Sequence, residues 1–312
     1  MLAGGTRMTL DQLRIFVAVA ESLHVTRAAE DLGITQSGAS AAIAALEARY
    51  GLELFHRIGR RIELTDAGHV FVPAAKAVLA QVAELQRELS ELSSLRHGSL
   101  SLHASQTVAN YWLPTHLAEF RRLYPGIQVR VKIGSSLQAA AAVTDGSADL
   151  GFADCRVAGP ALELTELHGD KLVLLQPPGQ QALRKKVRLV DLQEAPWVVR
   201  ERGSSTRQAF DEAWRELDIN PQRLNIALEL PSNEAVLMAV ESGIGPTVVS
   251  SLVAERSSLV PIDVGLKPRQ FTVLRHRDRK VSRAQKAMLE IVHRKPPSSF
   301  QKATLQHSLH VP

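Results

Sequence analysis

Between Phe71 and Leu92 the apolar residues Phe71, Ala75, Val78, Val82, Leu85, Leu89 and Leu92 follow one another in steps of four and three. A sustained 3.5-residue period belongs to a long helix that packs along a narrow seam against a partner helix, whereas a helix lying on its own domain shows a broader 3.6-residue stripe. Thr65 stands where it can cap this helix, and Pro73, in its early turns, is expected to bend it. Two arrangements satisfy the seam: pairing with a second copy of the chain, or packing against the chain's own C-terminal part. Either way, a rod of this length sets an N-terminal part of the chain apart from a C-terminal one.

Upstream, Leu10, Leu13, Phe16, Val17 and Ala20 give a first amphipathic helix ending near Ser22. Thr26 can cap a short second helix over 27–32, and Gly33 supplies its stop. Thr35 can cap a third, whose Ala39, Ile43, Leu46 and Tyr50 form one stripe. Its opposite face begins with Gln36, Ser37, Ser40 and Ala41, small or hydrogen-bonding residues of the kind that approach base edges in a major groove. Periodicity alone serves a three-helix bundle with a polar outer face equally well. Residues 54–64, LFHRIGRRIEL, then set Arg57, Arg60 and Arg61 around Gly59 between two short apolar runs. That reads as a hairpin with a basic tip, suited to phosphates.

After Gly98 the texture changes. Strands over 100–104, 127–133 and 149–153 alternate with helices, and a second such run has strands near 171–176, 197–200 and 225–230. Alternation of this kind implies two α/β lobes with a cleft between them. The 312 residues exceed a single core, and 45% hydrophobic with 22% charged residues is an ordinary globular composition. The segments 162–166 and 270–273 are the expected crossings between lobes, which puts lobe I at about 98–163 plus 270–294 and lobe II at about 164–269. Residues 295–312 read as a flexible tail.

Charge does not decide the function. The net charge is +5, but residues 1–65 hold seven Arg against seven acids, and the excess lies C-terminal, with eleven Lys or Arg against two acids from Lys267 onward. The single Cys155 excludes disulfides and paired-Cys zinc sites, and no metal site is expected. With neither a signal-like apolar N-terminus nor an apolar span long enough for a bilayer, a cytoplasmic protein without a membrane role is expected.

The ordered string TLDQLRIFVAVAES, VTRAAEDLGITQSGASAAIAALEARY, GLELFHRIGRR and IELTDAG over Thr9–Gly68 closely resembles the N-terminal region of LysR-type transcriptional regulators. FRRLYPGIQV, DGSADLGF and SNEAVLMAVESGIG resemble the regulatory domain of the same family, so the likeness runs from residue 8 to about 294. It implies a winged helix-turn-helix (8–66), a dimerising linker helix (67–97) and a two-lobed, periplasmic-binding-protein-like (type 2) α/β effector domain (98–294). It further implies a homodimer or homotetramer on double-stranded promoter DNA at an interrupted palindrome, with a small-molecule effector, no other cofactor, and RNA polymerase as a further partner. Gln36, Ser37 and Ser40 match the recognition positions, and Arg57 and Arg61 the wing; Thr35 and Arg60 beside them complete the expected DNA-binding set. The chain departs from the family in one respect. Ala41, Ala42 and Ala44 stand where many members carry Arg or a long polar residue, which leaves fewer phosphate anchors on this helix.

In open α/β folds ligands bind where strands end and helices begin. Hydroxyl-bearing turns of that kind are Ser105, Gln106 and Thr107, then Ser135 and Ser136, then Ser204, Ser205 and Thr206; the resemblance adds Thr247. Each hydroxyl taken singly also suits a helix cap. As a set facing one cleft they suit a carboxylate or oxyanion, with Asn110, Glu201 and Arg202 as selectors among such ligands. Cys155 suits a packed side chain better than a redox sensor. Two other functions fit a cleft between lobes. An enzyme is disfavoured because no nucleophile elbow, phosphate loop, zinc motif or dinucleotide fingerprint occurs and the eleven His are scattered. A solute-binding protein would have no use for residues 9–95.

Overall fold

A computed structural model describes residues 8–58, 61–91, 98–179 and 188–294. The chain divides into two compact units, and the boundary falls after Leu92.

The first unit holds α1 (Leu10–Ser22), α2 (Val25–Leu32), α3 (Gln36–Tyr50), the hairpin β1 (Phe55–Ile58) and β2 (Arg61–Leu64), and α4 (Asp66–Glu91). Thr9 and Gln12 form a capping box at the start of α1. The cap of α2 is His24, whose ring accepts from the Arg27 N–H, and not the Thr26 expected from sequence. Gly33 ends α2 as expected. Phe16 is fully buried, with ring centroids 5.4 Å from Phe55 on the hairpin and 4.9 Å from Phe71 on α4. One side chain of α1 therefore ties the wing and the linker helix into the same core, with Leu13, Leu46, Leu54 and Ala75 around it. The Glu47 carboxylate accepts from the Leu54 and Phe55 N–H groups at 2.8 and 3.2 Å, which fixes the entry to the hairpin. Gly68 belongs to the LTDAG string. A Cβ there would stand 2.2 Å from the Leu54 carbonyl oxygen, so only glycine lets α4 begin against the wing.

α4 runs through Pro73 as one continuous helix. Its apolar seam divides between two environments. Ala75 is buried, and Phe71 and Leu79 are partly buried, in the core of the first unit, while Val78 and Leu85 stay exposed at 42% and 58%. The first turns thus pack on the chain's own domain, and the later positions remain at the surface of a single chain. Leu92, and the side chain of Leu89, lie outside the described residues.

The second unit comprises β3 (Gly98–Ser105), a π-turn (Val108–Trp112), α5 (Leu113–Leu123), β4 (Ile127–Gly134), α6 (Ser136–Asp145), β5 (Leu150–Ala153), β6 (Leu162–Leu167), β7 (Leu172–Leu175), β8 (Trp197–Arg200), α7 (Ser205–Arg215), β9 (Ile226–Leu230), α8 (Asn233–Glu241), β10 (Thr247–Ser250), α9 (Ser251–Ala254), β11 (Phe271–His276) and α10 (Arg283–His293). Lobe I is a five-stranded sheet of order β4-β3-β5-β11-β6, with β3 parallel to β4 and β5 and β11 antiparallel to β5 and β6. Lobe II pairs β8 parallel with β9 and β7 antiparallel with β10, and the Val198 N–H reaches the Pro246 carbonyl to join the pairs. Its core centres on Trp197, Phe210 and Trp214, whose rings meet edge to face at centroid distances of 5.1 to 6.2 Å.

The crossings differ from expectation. Residues 162–167 and 271–276 are paired strands inside the lobe I sheet, so the chain crosses in the short segments on their lobe II side. There Gly169 lies so close to Arg269 that a Cβ would stand 1.9 Å from the Arg269 carbonyl oxygen, and the Arg269 N–H donates to the Asp170 carbonyl at 2.8 Å. The Arg269 side chain, 9% exposed, forks onto the Asp170 carboxylate at 2.8 and 2.7 Å and reaches Asp154 at 3.4 Å. Burial works against its charge, yet the carboxylates, Asp170 foremost, raise its pKa above the ordinary arginine value. Ser136 donates to Asp154 and Ser250 donates to Asp170, so the ion cluster spans both crossings and both lobes.

Candidate nucleic-acid interface and effector cleft

On α3 the N-cap Thr35 accepts from the Gly38 N–H at 3.1 Å, and its hydroxyl lies 3.2 Å from that of Ser37. Gln36 donates to the Ser40 hydroxyl at 3.0 Å. Gln36 and Ser37 are exposed and Ser40 half-exposed, as Ala41, Ala44, Ala45 and Ala48 are exposed further along, while Ala39, Ile43 and Leu46 point inward. The polar end of the helix is thus presorted by three local hydrogen bonds and free of the core. The hairpin pairs Arg57 with Ile62 and Ile58 with Arg61. Arg60 lies outside the described residues, as do the side chains of Arg57 and Arg61.

The lobes of the second unit enclose a cleft of about 520 Å³. Its walls come from the carboxyl ends of β3, β4, β8 and β9: Ser105, Gln106 and Thr107, then Gly134 and Ser135, then Arg200 to Ser205, then Pro231. Ser105 is 2% exposed, and its Oγ has no hydrogen-bond partner among the described residues. Ser204 precedes α7 as its N-cap and makes no side-chain cap bond, which leaves the first-turn N–H groups of α7 to a ligand or to water. Ile133 and Leu137, 55% and 64% exposed, supply an apolar wall.

The other expected hydroxyls play different parts. Ser135 lines the cleft but accepts from the Gln138 N–H at 3.2 Å as an ordinary helix cap. Ser136 is buried on Asp154, Thr206 is buried with an unpartnered Oγ1 among the described residues, and Thr247 is buried on β10; none of these three lines the cleft.

Across one edge of the cleft the lobes are joined directly. Tyr111, in the π-turn of lobe I, donates to Glu234 at 2.6 Å, and Asn110 donates to the same oxygen at 3.3 Å. Asn233, fully buried at the start of α8, gives its N–H to Gln106 at 3.3 Å and its side-chain amide to Thr107 at 3.5 Å. Burial and the facing Glu234 push the Tyr111 phenol well above its usual range. Burial opposes the Glu234 charge, but the hydrogen bonds from Tyr111, its own backbone, Asn110 and Ser232 together outweigh it and hold the carboxyl below the usual carboxylate range.

Residues 10–69 match the bacterial regulatory helix-turn-helix model of the lysR family, and residues 93–296 match the LysR substrate binding domain model. The chain belongs to the LysR family. Among curated LysR-type relatives, the uncharacterized HTH-type transcriptional regulator YeiE of Escherichia coli is 33% identical over 295 residues, covering 91% of this chain and 96% of its own. The transcriptional activator CmpR of Synechocystis is 33% identical over 243 residues, covering 78% of this chain and 79% of its own. Among solved LysR structures, full-length CbnR complexed with its target DNA superimposes with a TM-score of 0.67 at 22% identity, covering 91% of this chain and 99% of that one. HinK of Pseudomonas aeruginosa gives 0.55 at 25% identity, covering 92% and 98%. This LysR chain is therefore a DNA-binding transcription regulator with an effector-binding domain, and not an enzyme.

Sequence reading missed Arg200, which lines the cleft of this LysR protein, and Asn233, which joins its lobes. Arg200 ends the run WVVR and carries no local sign of its role. Asn233 comes after a Ser that caps α8, so its sequence context announces only the helix start. In the described residues the Cys155 thiol is partly buried, and burial pushes its pKa up, which suits a packed side chain and not a reactive thiolate. No helix among the described residues is long and apolar enough to cross a membrane.

Proposed function

We propose that this regulator binds a small carboxylate or oxyanion between its lobes and acts on double-stranded promoter DNA as a homodimer paired through α4, assembled further into a homotetramer. The observation that carries the effector class is Ser105. A hydroxyl 2% exposed without a partner among the described residues costs about 1–3 kcal/mol unless something accepts or donates there. It faces the same cleft as the uncapped amino end of α7, where partial positive charge favours an anion. Val70, Val78 and Leu85 support the pairing. They lie eight and seven residues apart on one side of α4 and are exposed at 75%, 42% and 58%. Thr35, Gln36, Ser37 and Ser40 then present the base-reading surface, with Arg57, Arg60 and Arg61 on phosphates. The setting is the cytoplasm, with RNA polymerase as a further partner.

Mechanistically, an effector that favours one arrangement of the lobes shifts the population toward it, and the coupling acts on how the paired α3 helices meet DNA. The test is a thermal-shift and calorimetric screen of small carboxylates and oxyanions against the wild type and Ser105→Ala. The expected result is a hit that the variant binds about tenfold or more weakly, because one buried hydrogen bond to a charge is lost. Without added anion the variant should be as stable as the wild type or slightly more so, since it removes a polar group with no partner. Equal affinity in the two proteins would remove Ser105 from the site.

A further inference from the structure

Arg200 stands at the end of β8, on the cleft wall, with a side chain 5% exposed. Its guanidinium is forked onto the neighbouring Glu201: Nε donates to Oε2 at 2.8 Å and Nη2 to Oε1 at 2.7 Å. A fork of this geometry takes a carboxylate, a sulfate or a phosphate equally well. In this structure, the position that an anionic ligand would take on Arg200 is held by the protein's own carboxylate. We infer that Glu201 is an internal stand-in for the effector's anionic group, displaced when that group binds Arg200. The inference rests on the reading of the cleft as an anion site.

The two partners are unequal, and the inequality decides which one moves. Arg200 has a second set of acceptors, Asn233 Oδ1 at 2.8 Å and the Pro231 carbonyl at 3.4 Å, which hold the guanidinium when Glu201 leaves. The Glu201 carboxylate is 38% exposed and accepts from no other residue in the described hydrogen bonds. Its backbone is fixed, the N–H on the Leu230 carbonyl at 3.0 Å and the carbonyl on the Ser204 N–H at 3.2 Å, so the side chain alone can swing toward water. A buried guanidinium without a counter-ion is costly, so departure of one carboxylate and arrival of another anion form a single exchange.

The exchange also has a route to the other lobe. Asn233, which accepts from Arg200, is the residue that gives its N–H to Gln106 and its amide to Thr107 in lobe I. A ligand that shifts the guanidinium by replacing Glu201 thus pulls on the contact that joins the lobes. Self-competition of this kind lowers affinity for the anion and makes the site answer only to ligands able to out-compete an attached carboxylate.

The experiment is calorimetric titration of the full chain and its Glu201→Gln variant with sodium sulfate and with sodium acetate, at ionic strength held constant with chloride. The variant should bind at least one of the two anions about tenfold or more tightly than the wild type, a gain of one charge-assisted interaction. Before anion is added it should melt lower than the wild type, and it should recover more on addition. If the variant folds poorly, recovery of folded protein that saturates at low-millimolar sulfate, below the range in which sulfate stabilises proteins generally, supports the exchange, and failure to recover contradicts it. Equal dissociation constants for the two proteins overturn the role of Glu201 and leave the anion reading standing. Absence of titration by either protein with either anion, and with every hit from the carboxylate and oxyanion screen, overturns both.

Discussion

Replacing Arg269 with alanine is expected to destabilise the two-lobed domain by about 3–5 kcal/mol, the cost of breaking a buried ion cluster by removing one partner. Asp154 and Asp170, with side chains 0% and 1% exposed, would be left without their counter-ion between the two crossing segments. The intact cluster need not add stability over an apolar substitute; the penalty arises because the carboxylates stay behind. Arg269→Lys keeps the charge but loses the fork onto Asp170 and should fall between the wild type and alanine. Urea unfolding monitored by tryptophan fluorescence reads this domain selectively, because Trp112, Trp197 and Trp214 all belong to it. A change below about 1 kcal/mol, the usual range of an exposed ion pair, would show that the cluster does not hold the crossings.

Phe16→Ala should have a comparable effect on the first unit, about 3–5 kcal/mol for a buried phenylalanine. The ring is in contact with Phe55 and Phe71, so the cavity opens where α1, the wing and α4 meet. Hydrogen exchange should rise through residues 10–79 and stay unchanged in the strands of lobe I. DNA binding should be lost at temperatures where the effector domain remains folded. Wild-type protection in α1 and α4 of the variant would mean that the wing and the linker helix are held by something other than this ring.

The sequence showed those parts of the fold whose determinants are local. Thr35 and Gly33 act within one turn of their own positions, and the start of α3 and the end of α2 lie where these residues place them. The crossings were displaced because Leu162–Leu167 and Phe271–His276 are defined by pairing with each other across more than a hundred residues, which no local spacing reveals. The α4 seam read as a single interface because its period is uniform. The structure divides it, since Ala75 is buried in the core with Leu13 and Phe16 of α1 while Leu85 is 58% exposed. At the cleft, strand-end hydroxyls were legible as a class. Which of them cap a helix, as Ser135 does, and which lack a partner, as Ser105 does, depends on neighbours brought in from elsewhere in the chain. Glu201 could be picked out as a selector, but its bond to Arg200 appears only in three dimensions.

The proposed function depends most on the outer face of α3 reading base edges. The direct measurement compares Ser40→Arg with wild type on a selected operator and on scrambled DNA, each across a series of salt concentrations. The expected result is a loss of the operator's advantage by about 1–3 kcal/mol, the value of one good base contact, while Arg61→Ala weakens both DNAs alike and lowers the salt slope by about one. If Ser40→Arg instead changes affinity for operator and scrambled DNA by the same factor, α3 does not read sequence in this protein.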